Sequence, residues 1–244
     1  MKYFKYIIIV FLFVTCASND SSSTADNNQV GQGGSTARFA IVGNYLYTVD
    51  DDDLNVFSIT NTTNPVLVNE VYIGFRIETI FSFENNLFIG SQGGMYIYNL
   101  DNPEVPIQQS EINHFTACDP VVTDGNYAYV TLHSNSNCGN NINSLEIYNV
   151  EDIENPILIE SRNMIQPKGL GIYNDYLIIC DDEVKIFDIS DPENMVFSTS
   201  INVSGFDVII KNDDLIVVAK DGLYQYRLDN TAITNVTALS VIGY

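Results

Sequence analysis

Between Ala37 and Tyr244 the chain repeats one pattern five times, and this repetition limits its fold more than any other feature. Each repeat opens with an alternating apolar run: YLYTVD (45–50), NLFIGS (86–91), YAYVTL (127–132), YLIICD (176–181) and DLIVVA (214–219). A second run follows each time: NVFSI (55–59), YIYNL (96–100), EIYNV (146–150), KIFDI (185–189) and YQYRL (224–228). The column Phe57, Tyr98, Tyr148, Phe187, Tyr226 advances by 41, 50, 39 and 39 residues; an insertion near 133–143 accounts for the long step. Before each first run stands a pair suited to positive φ and a tight hairpin: Gly43-Asn44, Glu84-Asn85, Gly125-Asn126, Asn174-Asp175 and Asn212-Asp213. Eight residues after the aromatic column come Pro65, Pro106 and Pro156, then Met195 and Thr234, which read as turns into an edge strand that tolerates proline. Alternation with turn signals every 8–12 residues predicts strands throughout. Four strands per repeat, arranged around an axis, make a propeller blade. The expected fold is all-β: a five-bladed β-propeller of four-stranded antiparallel blades filling residues 37–244. A β-sandwich of ordinary hairpins is the alternative, but it does not predict five aligned columns.

The hydrophobic strand with Asn or Asp at its exit resembles the LVIVD-repeat β-propellers. It is seen in Ile97-Tyr98-Asn99-Leu100, Ile147-Tyr148-Asn149-Val150 and Ile186-Phe187-Asp188-Ile189, with an Asn-Pro step after it. Repeats two to four carry the motif best, whereas Ser58 and Arg227 replace the Asn/Asp in the first and fifth. The resemblance implies a propeller that is exported or surface-attached, with a repeat that carries no catalytic residues of its own.

The N-terminus supports export. Lys2 and Lys5 precede an uncharged stretch from Tyr6 to Val14 and then Thr15-Cys16, a secretory signal pattern. That stretch is far short of the ~20 residues a transmembrane helix needs. Leu12-Phe13-Val14-Thr15-Cys16 resembles a lipobox, with Phe13 and Thr15 where Leu and a small residue are usual. Residues 1–15 are thus expected to be a lipoprotein-type signal peptide, Cys16 the lipidated residue, and the polar segment 16–36 a flexible tether. An ordinary signal peptide, with Cys16 incidental, is the alternative. The address that follows is the bacterial cell envelope, at the outer membrane or cell surface, with membrane contact through the lipid anchor only.

Charge and cysteines narrow the chemistry. With 31 acidic against 10 basic side chains, a net charge of −21, the chain lacks the cations to neutralise phosphates, so no nucleic-acid partner is expected. Apart from Cys16, three cysteines remain. A Cys118–Cys138 disulfide would pin the Asn/Ser-rich insertion and, closing about 20 residues, stabilise by roughly 3 kcal/mol. Free thiols are the alternative, and the spacing of His114, Cys118, His133 and Cys138 fits no standard zinc pattern. Cys180 reads as a small core residue. The run Asp50-Asp51-Asp52-Asp53 lacks the Gly and spaced Glu of a calcium loop and reads as a solvated turn. No nucleophile elbow and no phosphate loop is present, and no metal or other cofactor is expected.

One column of charge remains. At the start of the inner strands stand Arg38, Glu78, Asp119, Lys168 and Asp207, aligned to within one position. They are the ligand-binding candidates, expected as a ring at one mouth of the central channel, with a solvated rim as the alternative. The expectation is a non-catalytic binding or scaffolding module with an unknown protein or glycan partner. The rival is a carbohydrate-active hydrolase or lyase with its site on a propeller face, using paired carboxylates such as Glu78 and Asp119.

Overall fold

The computed structural model describes residues 30–113, 120–133 and 142–244. They form five antiparallel sheets in chain order. Blade one holds β1 (Val30–Gln32), β2 (Phe39–Val42), β3 (Tyr45–Val49), β4 (Asp53–Ser58) and β5 (Val66–Tyr72). Blade two holds β6 (Ile77–Phe83), β7 (Asn86–Ser91), β8 (Gly94–Asn99) and β9 (Ile107–Asn113). In blade three come β10 (Val121–Thr123), β11 (Tyr127–Leu132), β12 (Ser144–Asn149) and β13 (Ile157–Asn163). Blade four runs through β14 (Leu170–Tyr173), β15 (Tyr176–Cys180), β16 (Val184–Asp188) and β17 (Val196–Ile201). Blade five closes the chain with β18 (Gly205–Lys211), β19 (Asp214–Ala219), β20 (Gly222–Arg227) and β21 (Thr237–Gly243). The fold is the five-bladed propeller that the repeat dictates.

The repeated residues have repeated jobs. The first residue of every hairpin pair has positive φ: Gly43 (57°), Glu84 (49°), Gly125 (99°), Asn174 (51°) and Asn212 (54°), as a tight hairpin requires. In every blade the register slips just before the aromatic column, at Val56/Phe57, Ile97/Tyr98, Ile147/Tyr148, Ile186/Phe187 and Gln225/Tyr226. The extra residue lies in the outer strand, and a bulge there increases the local twist of the blade. The Asn/Asp at the strand exit is a turn former. Asn99, Asn149 and Asp188 accept the backbone N–H of Asp101, Glu151 and Ser190 at 2.7, 3.1 and 2.9 Å. These local bonds fold the turn that carries the outer strand back.

Blades pack through four apolar clusters, joining one to two, two to three, three to four and four to five. Leu87, Ala128, Leu177 and Leu215 face the preceding blade and are sealed. Outside these clusters, polar ties link an outer strand to the next blade's turn: Asn69 Nδ2 to Glu104 O (2.8 Å), Ser110 Oγ to Ile153 O (2.7 Å) and Arg162 Nη2 to Met195 O (2.8 Å). Among the described residues no such cluster joins blade five to blade one. Leu46 and Phe57, which face that seam, are only half-buried, as are Ile216 and Leu223 opposite.

The fifth strand of blade one departs from expectation. β1 pairs antiparallel with the inner edge of β2, with Val30 opposite Val42 and Gln32 opposite Ala40. The edge of an inner strand carries unpaired N–H and C=O groups, and β1 uses them. Residues 30–36, placed in the tether by the sequence reading, therefore line the channel wall. The chain enters at the far mouth, where inner strands end, and reaches the start mouth, where they begin.

Candidate functional site

The start mouth gathers the charged residues, but in two different settings. Arg38 Nη2 donates to Ile77 O at 3.0 Å and lies 3.7 Å from Asp51 Oδ1, an exposed pair that solvent weakens. Glu78 Oε1 accepts from Gln92 Nε2 at 2.9 Å, and Gln92 Oε1 accepts from Arg76 Nη1 at 2.8 Å. Gln92 is buried and its N–H is held by Arg76 O at 3.1 Å, so the Arg76–Gln92–Glu78 chain is fixed from within. Together Arg38, Asp51, Arg76, Ile77, Glu78 and Gln92 line a cavity of about 400 Å³.

Local folding explains how these side chains meet. Asp50 accepts from Asp53 N–H and Asp52 N–H at 3.0 and 3.3 Å, and these donors hold its carboxyl below the usual range. The acidic run is thus a wound turn, whose carbonyls face outward: Asp52 O takes Ile73 N–H and Asp51 O takes Ile77 N–H. That grip delivers Arg76 to the mouth at φ +55°, a strained value for a long side chain, with its guanidinium 5.0 Å from the Phe75 ring. Glu78 is the extra residue of a bulge in β6, where the pairing jumps from Ile77↔Ser91 to Thr79↔Gly90. Bulges often re-aim a side chain at a site.

Asp207 is used differently. It is buried and accepts four hydrogen bonds: from Ser35 Oγ (3.1 Å), Thr36 N (3.3 Å), Thr36 Oγ1 (2.5 Å) and Val208 N (2.9 Å). Burial pushes its carboxyl up, against the pull of those donors. Ser35 Oγ also accepts Leu170 N–H at 2.8 Å. This clasp ties the segment leading into blade one to blades four and five, across the seam that lacks an apolar cluster. Lys168 stands at the same mouth with its main chain spent: its N–H donates to Cys180 O and its carbonyl accepts from Thr131 Oγ1. Cys180 is a free, buried thiol, pushed well up first by burial and then by Asp207, while Lys168 pulls it down.

The charged column at this mouth holds two registers. Across from Val49, Gly90, Thr131, Cys180 and Val218, which are equivalent positions, lie Arg38, Thr79, Pro120, Gly169 and Asp207. Glu78 and Lys168 sit one residue upstream of that level. A one-residue shift in a strand turns the side chain to the other face, so the five-residue column mixes two registers. Arg38 and Glu78 share the open cavity; Asp207 is consumed by the clasp. Asp119, Cys118 and Cys138 lie outside the described residues, as does Cys16. Arg76, Asp51 and Gln92 were not among the sequence candidates, because they reach the mouth from a loop and two turns rather than from the inner-strand column. Among the described residues no group of three or more His, Cys, Asp or Glu could hold a metal, and no helix is long and apolar enough to cross a membrane.

Architecture and mouth define a five-bladed propeller with a polar cavity at one end of its axis. The LVIVD repeat matches residues 33–72 and 168–203, which fall on blades one and four. The match falls on the first and fourth repeats, whereas the sequence reading placed the motif best in the second to fourth, and it takes in the clasp residues Ser35 and Thr36. No curated protein matches the chain in sequence. Among solved structures, the periplasmic gluconolactonase of Pseudomonas aeruginosa is similar at 13% identity and a TM-score of 0.64, over 82% of this chain and 68% of that one. A protein from Lactobacillus plantarum is similar at 13% identity and a TM-score of 0.66, over 81% and 67%. The Hsv2p protein of Kluyveromyces lactis is similar at 9% and 0.54, over 82% and 60%. At these identities the likeness is one of fold. It corrects the expectation of a non-catalytic module in so far as that rested on the fold, because one propeller of similar fold is a gluconolactonase.

Proposed function

We propose that the chain is an exported, lipid-anchored propeller of the cell envelope, whose start mouth binds a small, hydroxyl-rich anion of the sugar-acid class. The observation that carries this reading is the Arg76–Gln92–Glu78 chain beside Arg38 in one cavity of about 400 Å³, a size within the range of small-molecule sites. In a chain of net charge −21, the two guanidinium groups at this cavity balance the carboxylates of Asp51 and Glu78, making it a locally neutral spot in an acidic molecule. Planar guanidinium groups suit a carboxylate. Glu78 and the Gln92 amide suit hydroxyl groups, which both donate and accept.

A second reading is that the site hydrolyses a sugar lactone or glycoside. The observation favouring it is Glu78, positioned by a buried amide next to the two arginines. A carboxylate there can take a proton from water, while a guanidinium stabilises the developing oxyanion. Titration calorimetry with gluconate and glucuronate, together with an assay of lactone opening, tests both readings. Arg76→Ala should weaken binding of the acids about tenfold or more. Glu78→Gln should abolish any lactone opening while leaving acid binding within a few-fold. If neither acid binds the wild-type protein, the sugar-acid reading is refuted.

A further inference from the structure

The other mouth leads to a space of opposite chemistry. β1 covers only the blade-one side of the channel, and beside it a cavity of about 370 Å³ remains between the inner strands of blades two to five. Phe81, Phe83, Val122, Ile172, Val208 and Ile210 line it. Gly33, Gly34 and Ser35 form its floor, and the inner-strand ends at Phe83, Thr123 and Ile210 frame its opening. The wall is set by packing: a Cβ on Gly125 would lie 2.6 Å from Phe83 Cε1, so this glycine lets the ring sit flat against the turn.

The polar side chains around this cavity are already committed to the chain's own atoms. Ser35 serves the clasp and Leu170 N–H. Thr123 Oγ1 donates to Tyr127 O and accepts Gly125 N–H. Asp124 accepts from Asn126 N–H, Tyr127 N–H and Tyr129 OH. With these side chains engaged and the walls lined by Phe, Val and Ile, a ligand's attraction comes chiefly from apolar area taken from water. The Asp124 carboxylate at the opening, within a strongly acidic chain, repels anions. We infer that the far half of the channel is a binding site for an uncharged aromatic or alicyclic small molecule, separate from the polar start mouth.

The probe is N-phenyl-1-naphthylamine, an uncharged dye that fluoresces in apolar surroundings, added to the full chain. Saturable one-site binding is expected. Ile210→Trp, which fills the cavity, should weaken it about tenfold or more. Phe83→Trp keeps an aromatic wall, and because the chain has no tryptophan of its own, the introduced indole should lose emission by transfer to the bound dye. The related anionic dye 8-anilinonaphthalene-1-sulfonate should bind about tenfold more weakly. Absence of saturable binding overturns the inference, as does binding with no transfer from the indole at position 83. Equal affinity for the anionic dye overturns the chemistry assigned to the ligand. Should Ile210→Trp fail to fold, transfer in Phe83→Trp decides alone. Sugar-acid binding at the start mouth is measured independently and does not enter this outcome.

Discussion

Removing the Asp207 carboxylate should open the seam between the last blade and the first. Asp207→Ala leaves the buried backbone N–H of Val208 without this acceptor, whereas the N–H and hydroxyl of the exposed Thr36 can turn to water and the Ser35 hydroxyl to another partner. An unsatisfied buried donor costs about 1–3 kcal/mol, and loss of the tie between the entering segment and blade five adds to it. Relief of a buried carboxylate, whose pKa burial raises, offsets part of this, leaving about 2 kcal/mol. Asp207→Asn keeps one acceptor oxygen but turns an NH₂ group toward Thr36, for a cost of about 1–2 kcal/mol. The pH dependence has a definite sign. With its folded pKa above the unfolded 3.8, Asp207 favours folding most below 3.8, and that contribution is lost as pH rises through the folded value. The gap between wild type and Asp207→Asn should therefore narrow as pH rises through that window. Urea unfolding followed by tyrosine fluorescence reads the global cost, and hydrogen exchange at Gly34–Ala37 reads local release. If Asp207→Ala unfolds within about 0.5 kcal/mol of wild type, the range of an ordinary surface change, and exchange at 34–37 is unchanged, the clasp reasoning is refuted.

The address and the insertion give two further tests. Labelled palmitate should enter the wild-type protein, and Cys16→Ser should release it to the soluble fraction; continued membrane attachment of that variant would count against the anchor. Non-reducing peptide mapping should recover the Cys118 and Cys138 peptides joined, with Cys180 alkylated only after denaturation because it is buried; a Cys118–Cys180 link would remove the proposed bridge.

The blades were legible because each one is written by local chemistry. A hairpin pair, an alternating run and an Asx turn lie within a few residues of one another, and their spacing survives in all five repeats. The cavity was less legible because its members come from different turns. Gln92 sits in a Gly-rich turn that reads only as a strand connection, and Arg76 adopts a φ that no sequence pattern announces. The charge column was legible only to within one residue: Glu78 and Asp207 look equivalent in an alignment, yet the β6 bulge falls on Glu78 while in β18 it falls on Phe206. A bulge adds a residue without altering the apolar rhythm around it. β1 escaped for a different reason. Val30-Gly31-Gln32 has no strand signature, and it is a strand because the free inner edge of β2 offers it hydrogen bonds.

That inner edge also decides how the molecule bears load. β1 runs along the channel, so a pull on the chain ahead of Val30 acts down the propeller axis. The three β1–β2 residue pairs, Val30↔Val42, Gly31↔Ile41 and Gln32↔Ala40, then resist together in shear rather than parting one by one. Behind them the force meets the Asp207 clasp, which passes it into blades four and five at the start mouth. Tension is thus taken up by the inner wall, and the outermost strand β21, exposed along its whole length, carries none of it.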